Sequence, residues 1–263
     1  MQYGICQWNV PEKGEACFQM IVDAGLSGVE LEYSEDILAR CEDYLKWSKA
    51  YGITLTSIGV NVCCDFCIFE KINEQRFLDV IEKTSQAAAK MHIPLFHVPT
   101  FFESEIKSET DYFTVVELFQ KACDIAARYG LILGSENKLS ATTNLRLLHD
   151  VGRDNLKIYF DTQNPQVMAG FNACDILEAV SEFICEVHIK DCVDKGDVSA
   201  IVSTGETNFS EIIALLLDKG YDGWMLFEND YVKMKAPKEL DAPLKRMRHD
   251  LATIKEMVAR YRG

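Results

Sequence analysis

Eight short runs rich in β-branched and aromatic residues, each followed by a longer amphipathic segment, constrain the fold of this sequence more than any other feature. The intervening segments repeat apolar residues at helical spacing, and several end in glycine, which favours a left-handed helix C-cap. Eight such units predict an α/β fold, a closed parallel (β/α)8 TIM barrel. The predicted strands are Gln2–Gln7, Gly28–Leu31, Thr54–Val60, Pro94–Val98, Leu131–Glu136, Lys157–Asp161, Cys185–Lys190 and Gly223–Glu228.

The length of 263 residues is compatible with one barrel or with two smaller domains. No linker rich in Pro, Gly or Ser interrupts the alternation, so we predict a single TIM-barrel domain over residues 1–263. A doubly wound open sheet is the competing architecture, but such a sheet usually carries a glycine-rich loop after its first strand. The sequence there is Cys6-Gln7-Trp8-Asn9-Val10-Pro11, which is not such a loop.

Charge and cysteine usage narrow the classes of partner and compartment. The 27 basic and 41 acidic residues give a formal charge of −14, and an anionic surface repels nucleic acids and acidic lipids. No apolar stretch approaches the ~18 residues of a membrane span, and no signal-peptide pattern occurs at the N-terminus. The ten cysteines are scattered, unlike those of a secreted disulfide scaffold. We therefore predict a cytoplasmic protein without nucleic-acid or membrane partners, and a homo-oligomer stays open.

Acidic and histidine side chains stand at the ends of the last four predicted strands. Strand ends of one direction meet at one mouth of a barrel, so Glu136, Asp161, His188 and Glu228 are expected to converge there. One carboxylate at a strand end is usually a helix cap or a solvated residue, but three together repel one another unless a cation neutralises them. Oxygen ligands with one imidazole favour Mn²⁺, with Mg²⁺ or Co²⁺ as alternatives.

These residues also resemble the metal-binding signature of the xylose isomerase-like TIM-barrel superfamily, which includes sugar phosphate isomerases, ketose epimerases, inosose-processing enzymes and endonuclease IV. Ala24–Leu31 and Ser203–Phe209 resemble two further motifs of that superfamily. At two positions the sequence differs from the superfamily pattern, because Asn164 and Lys138 stand where many relatives have histidine. The resemblance therefore does not identify the substrate. The motifs that carry the signature are Ser135-Glu136-Asn137, Phe160-Asp161-Thr162-Gln163-Asn164, His188-Ile189-Lys190-Asp191 and Phe227-Glu228-Asn229.

The predicted activity is that of a divalent-metal-dependent isomerase or epimerase of a small sugar, keto-polyol or related carbohydrate. A metal ion between Glu136 and Glu228 would bind a carbonyl and its neighbouring hydroxyl and stabilise an enediolate. The two glutamates would then act as general base and general acid on opposite faces, and no organic cofactor is needed. The predicted substrate-binding residues are Trp8, His97, Asn164 and Lys190.

Other interpretations of the same residues stay open. A hydro-lyase acting on an inosose, or a lyase that cleaves carbon glycosides, would start from the same enediolate. A nuclease similar to endonuclease IV is disfavoured, because five histidines and a charge of −14 provide neither the extra metal ligands nor a basic DNA track. A non-catalytic metal-binding scaffold is the fourth class. For single residues, a histidine on an apolar strand such as His97 is more often a core residue, and Lys190 is open to interpretation as the charge partner of a carboxylate.

Two more features are weaker signals of function. Glu30 and Glu32 share one face of the second strand by alternation, which predicts either support for a ligand or an ion pair in the barrel floor. Cys64 and Cys67 form a C-x-x-C motif, but no second such motif completes a zinc site. We therefore predict that these cysteines have no redox or metal role.

Overall fold

The eight predicted strands form a closed, parallel barrel in a computed structural model that describes residues 1–196 and 198–262. Asp197 and Gly263, which the single-domain prediction includes, lie outside the described residues. The predicted TIM barrel is therefore confirmed, and each strand boundary agrees with the prediction to within one residue. The barrel strands are β1 (Gln2–Cys6), β2 (Gly28–Glu32), β3 (Thr54–Gly59), β4 (Leu95–Pro99), β5 (Ile132–Glu136), β6 (Leu156–Asp161), β7 (Ile184–Ile189) and β10 (Trp224–Phe227), and β10 closes the barrel between β7 and β1.

Most helices surround the barrel and bury their apolar stripes against the outer faces of the strands, whereas the short α6 lies at the mouth. In α3, for example, Phe77, Val80 and Ile81 are buried as their spacing predicts. None of the described helices combines the length and apolar character that crossing a bilayer requires. The helices are α1 (Glu15–Ala24), α2 (Ile37–Tyr51), α3 (Glu74–Met91), α4 (Glu109–Ala127), α5 (Ala141–Val151), α6 (Asn164–Ala169), α7 (Ala173–Val180), α8 (Phe209–Asp218) and α9 (Pro243–Arg262).

A small hairpin after β7, formed by β8 (Asp191–Val193) and β9 (Val198–Ala200), was not predicted. Asp191 Oδ2 accepts a hydrogen bond from the backbone N–H of Gly205 at 2.8 Å, which fixes the loop that follows the hairpin. A Cβ atom at residue 205 would stand 2.2 Å from Asp191 Oδ1, so this approach requires glycine. The hairpin thus fixes the backbone directly after Lys190.

Candidate functional site

The four predicted metal ligands meet at the C-terminal mouth of the barrel, and we call Glu136, Asp161, His188 and Glu228 the mouth cluster. Their potential ligand atoms all lie within 4.8 Å of one another. His188 Nδ1 lies 3.4 Å from Glu136 Oε1, 4.0 Å from Asp161 Oδ2 and 3.3 Å from Glu228 Oε2. The convergence follows from the fold, because β5, β6, β7 and β10 are parallel and all end at this mouth.

Asp161 has one oxygen that is satisfied by the protein and one that is not. Its Oδ1 accepts hydrogen bonds from the backbone N–H groups of Gln163 and Asn164, at 2.7 and 2.6 Å. Its Oδ2 is buried without a hydrogen bond, although Lys190 Nζ lies 2.9 Å away. Burial, together with the charges of Glu228 and Glu136, raises the pKa of Asp161 despite the opposing effect of Lys190. A cation bound within the mouth cluster would give Asp161 Oδ2 a direct ligand contact.

Glu30 contacts the ring nitrogen of His188 that faces away from the mouth cluster. His188 Nε2 lies 2.7 Å from Glu30 Oε2, and His97 Nδ1 lies 2.7 Å from Glu30 Oε1. Burial opposes ionisation of Glu30, but the two histidines lower its pKa to about 2. A proton on His188 Nε2 leaves the Nδ1 lone pair facing the mouth cluster, which is the arrangement of a carboxylate-supported metal ligand. Glu32 is exposed instead, so only one of the two strand-two glutamates supports the site.

His97 lies behind Glu136 and is fully buried. Its Nε2 is 3.3 Å from Glu136 Oε2 without hydrogen-bond alignment. Burial opposes the charged ring, but Glu30 and Glu136 raise the pKa of His97 to about 9. Burial likewise opposes ionisation of Glu136, but His188 and His97 hold its pKa below the usual range. The geometry therefore joins His97 to a carboxylate of the mouth cluster, and the ring does not line the pocket above.

A pocket of about 350 Å³ opens above the mouth cluster. Asn164 and Lys190, two of the predicted substrate-binding residues, line it, and Asn164 Nδ2 donates to Glu136 Oε1 at 3.3 Å. Lys190 Nζ lies 2.5 Å from Glu228 Oε2, so this lysine is also the charge partner of a carboxylate. Trp8 does not line the pocket, but its Nε1 donates to Glu228 Oε1 at 3.2 Å. The lining residues are Asn61, Cys64, Asp65, Pro99, Phe101, Phe102, Glu136, Asn164, Met168, Lys190 and Glu228.

The C-x-x-C motif supplies no metal ligand set within the described part of the chain. Burial raises the pKa of the Cys64 thiol to about 12, so the reactive thiolate is disfavoured.

A network deeper in the barrel was missed by sequence reasoning. Tyr159 OH lies 3.0 Å from Glu30 Oε2 and 2.9 Å from Glu186 Oε2, and Ser57 Oγ donates to Glu186 Oε2 at 2.5 Å. Burial and the charge of Glu30 raise the pKa of Glu186 to about 8. Strand alternation carries a signal for this network, because Glu186 and Tyr159 each stand two residues before a proposed metal ligand.

The chain is similar to known proteins over almost its whole length. Residues 18–257 match the family model described as xylose isomerase-like TIM barrel. The 2-epi-5-epi-valiolone 7-phosphate 2-epimerase of Actinoplanes sp. is 21% identical over 239 residues, 87% of each chain. Among solved structures, an L-ribulose 3-epimerase has a TM-score of 0.81 at 16% identity, covering 99% of this chain and 95% of that one. The IOLI protein with a zinc atom has a TM-score of 0.81 at 12% identity, covering 99% of each chain.

Proposed function

The chain belongs to the xylose isomerase-like TIM barrel family, and we propose that it is a divalent-metal-dependent isomerase or epimerase of a small carbohydrate. The observation that carries this proposal is the mouth cluster, in which three carboxylates and one imidazole converge around an Asp161 oxygen that lacks a hydrogen bond. The Actinoplanes relative and the L-ribulose enzyme are epimerases by name, which supports the same class of reaction.

We propose that the four residues of the mouth cluster hold one divalent ion. Three carboxylates and one imidazole make a mostly oxygen donor set, which favours Mn²⁺ over a structural zinc, with Mg²⁺ or Co²⁺ as alternatives. When bound, the ion would supply positive charge to a carbonyl and an adjacent hydroxyl. It would so acidify the C–H bond of the carbon that bears the hydroxyl. The zinc atom of the IOLI protein supports a metal in a related barrel.

Glu136 and Glu228 are the proposed proton carriers. They stand on β5 and directly after β10, three strand positions apart around the barrel. Glu136 is buried among His97, His188 and Asn164, whereas the Glu228 side chain is 16% exposed and is oriented by Lys190 and Trp8. One carboxylate would remove a proton from the substrate carbon as general base, and the other would deliver one to the opposite face.

Proton exchange at carbon tests this function directly. Protein loaded with Mn²⁺ is incubated in D₂O with ketoses, inososes and glycosides, and deuterium incorporation is followed by NMR. We expect deuterium at the carbon next to the carbonyl of one substrate, with conversion to its epimer or aldose. Loss of water or of an aglycone would instead indicate a lyase, and no exchange with any member of the panel would contradict the proposal.

A further inference from the structure

The catalytic pocket has two chemically different ends. Its floor carries Glu136 and Glu228 of the mouth cluster with Lys190 and Asn164. The remaining lining comes from the loops after β3 and β4 and from α6, and we call its apolar part the outer wall, which consists of Cys64, Pro99, Phe101, Phe102 and Met168. A substrate held at the floor would extend along this wall.

Phe102 is the most unusual residue of the outer wall. Its side chain is 68% exposed although it is a large aromatic, and its backbone has φ of 50°. The left-handed region is unfavourable for residues with a Cβ atom, and for a bulky aromatic it is a true outlier. Such strain persists only where the surrounding structure enforces it, and it concentrates at ligand sites.

A buried serine holds the strained turn in place. Ser104 Oγ lies 2.6 Å from Cys63 O and 2.8 Å from Phe66 O, and it accepts a hydrogen bond from the Ile68 N–H at 3.2 Å. Ser104 is fully buried, so these contacts tie the loop after β4 to the loop after β3. These two loops carry three of the five outer-wall residues, and Pro99 is the last residue of β4, so the wall is preformed and a ligand would bind it with little ordering cost.

The charges of the pocket disfavour an anionic substituent on the substrate. Lys190 is the single cationic side chain among the described lining residues, and its Nζ already lies between Asp161 and Glu228. Away from the floor, the one charged lining residue is the exposed Asp65, whose carboxylate would repel a phosphate. Aromatic faces instead favour apolar and ring-shaped groups.

We propose that the outer wall binds an uncharged ring substituent of the substrate, stacked on Phe102, so that the substrate is a neutral glycoside whose sugar ring carries a ketone, rather than a sugar phosphate. The inference rests on the proposed function, because the floor of the pocket must hold the reacting part of the same molecule. It assigns Phe102 as a specificity-determining residue.

Binding by the Mn²⁺-loaded protein tests the inference without requiring turnover. Calorimetry compares phenyl and methyl β-glycosides of glucose oxidised to a ketone at C3 with glucose 6-phosphate and fructose 6-phosphate. We expect a phenyl glycoside to bind at least tenfold more tightly than its methyl counterpart, and the phosphates to bind more weakly than either. Tighter binding of a phosphate, equal binding of all probes, or no binding would overturn the proposal.

Phe102→Gly separates the role of the ring from general damage to the fold. Glycine relieves the strain at residue 102, so we expect Tm to stay equal or rise while the preference for phenyl over methyl falls to less than twofold. Phe113→Ala is the matched control, because Phe113 is an exposed phenylalanine on α4 that does not line the pocket, and it should keep the preference. A preference that survives in Phe102→Gly would also overturn the inference.

The two proposals fail in distinguishable ways. Phenyl glycosides that bind through Phe102 without any deuterium exchange in the panel would contradict the proposed function and leave the outer wall supported. With sugar phosphates added to the exchange panel, exchange that occurs only with them would support the isomerase or epimerase activity and contradict the neutral glycoside.

Discussion

Two buried acidic clusters lie side by side in this barrel, and they differ in how their oxygens are satisfied. One is the mouth cluster; the other, which we call the loop clamp, consists of Asp191, Asn229, Tyr231 and Asp250. Every carboxylate oxygen of the loop clamp accepts at least one hydrogen bond from the protein. In the mouth cluster, Asp161 Oδ2 accepts none. Burial and acidity alone therefore do not mark a ligand site, whereas a buried oxygen without a hydrogen bond among converging carboxylates points to one.

The loop clamp adjoins the mouth cluster along the chain. Asp250 on α9 accepts hydrogen bonds from Val202 N at 3.1 Å, Asn229 Nδ2 at 2.9 Å and Tyr231 OH at 3.0 Å. Burial and the nearby charge of Asp191 raise the pKa of Asp250 to about 7, although the hydrogen bonds oppose this. Asn229 directly follows Glu228, so the clamp fixes the backbone beside a proposed proton carrier.

The largest expected effect is a loss of turnover, with little loss of metal binding, when a glutamate of the mouth cluster is replaced. Glu136→Gln and Glu228→Gln keep the side-chain shape and one oxygen but remove the basic carboxylate. Turnover of the exchanging substrate should fall about 10³-fold in each variant, since a positioned acid or base contributes roughly 10² to 10⁴. Mn²⁺ occupancy, measured by elemental analysis, should fall far less. Full activity in either variant would mean that the acid and base lie elsewhere.

A second prediction concerns the loop clamp, where the effect should fall on stability. Asp250→Ala leaves the N–H of Val202 and the donors of Asn229 and Tyr231 buried without their acceptor, at a cost of about 3 kcal/mol in the free energy of unfolding. Urea denaturation measures this change, and Glu256→Ala on the exposed side of the same helix should change it by less than about 0.5 kcal/mol. If Asp250→Ala instead abolished Mn²⁺ binding in a folded protein, the distinction between the two clusters would be wrong.

A smaller effect is expected at Glu30, which orients His188 without belonging to the mouth cluster. Glu30→Gln removes the carboxylate behind His188 Nε2, and loss of such a partner typically weakens metal binding by about 10- to 100-fold. Calorimetric titration with Mn²⁺ measures the affinity. Glu32→Gln is a matched control on the same strand, because Glu32 is exposed, and it should bind Mn²⁺ as the native protein does. Equal affinities in the two variants would show that Glu30 does not support the site.

The sequence predicted the barrel and the mouth cluster because both depend on local patterns. Alternating strand and helix segments define the strand ends, and parallel strands bring Glu136, Asp161, His188 and Glu228 to one mouth. Glu32 shows the limit of this reasoning, because it alternates with Glu30 but stands at the last position of β2, where the side chain reaches solvent.

Strand alternation marks the supporting networks only in part, so their contacts could not be predicted from the sequence. The pairing of β2 with β3 shifts register just before Glu30, and that of β6 with β7 shifts just before Tyr159. Such irregularities change the direction of side chains without a clear sequence signature. Asp250 lies on the last helix, and its contact with Asn229 depends on the closed barrel rather than on any local pattern.

Binding of Mn²⁺ tests the central claim most directly. Titration of the metal-free protein, with free Mn²⁺ followed by electron paramagnetic resonance, should show one tight site per chain. The Asp161→Ala, His188→Ala double variant should lose it, and Asp161→Asn, which keeps the Oδ1 acceptor for α6, should weaken it while retaining the native Tm. Undiminished binding by both variants would contradict the assignment of the mouth cluster as the metal site.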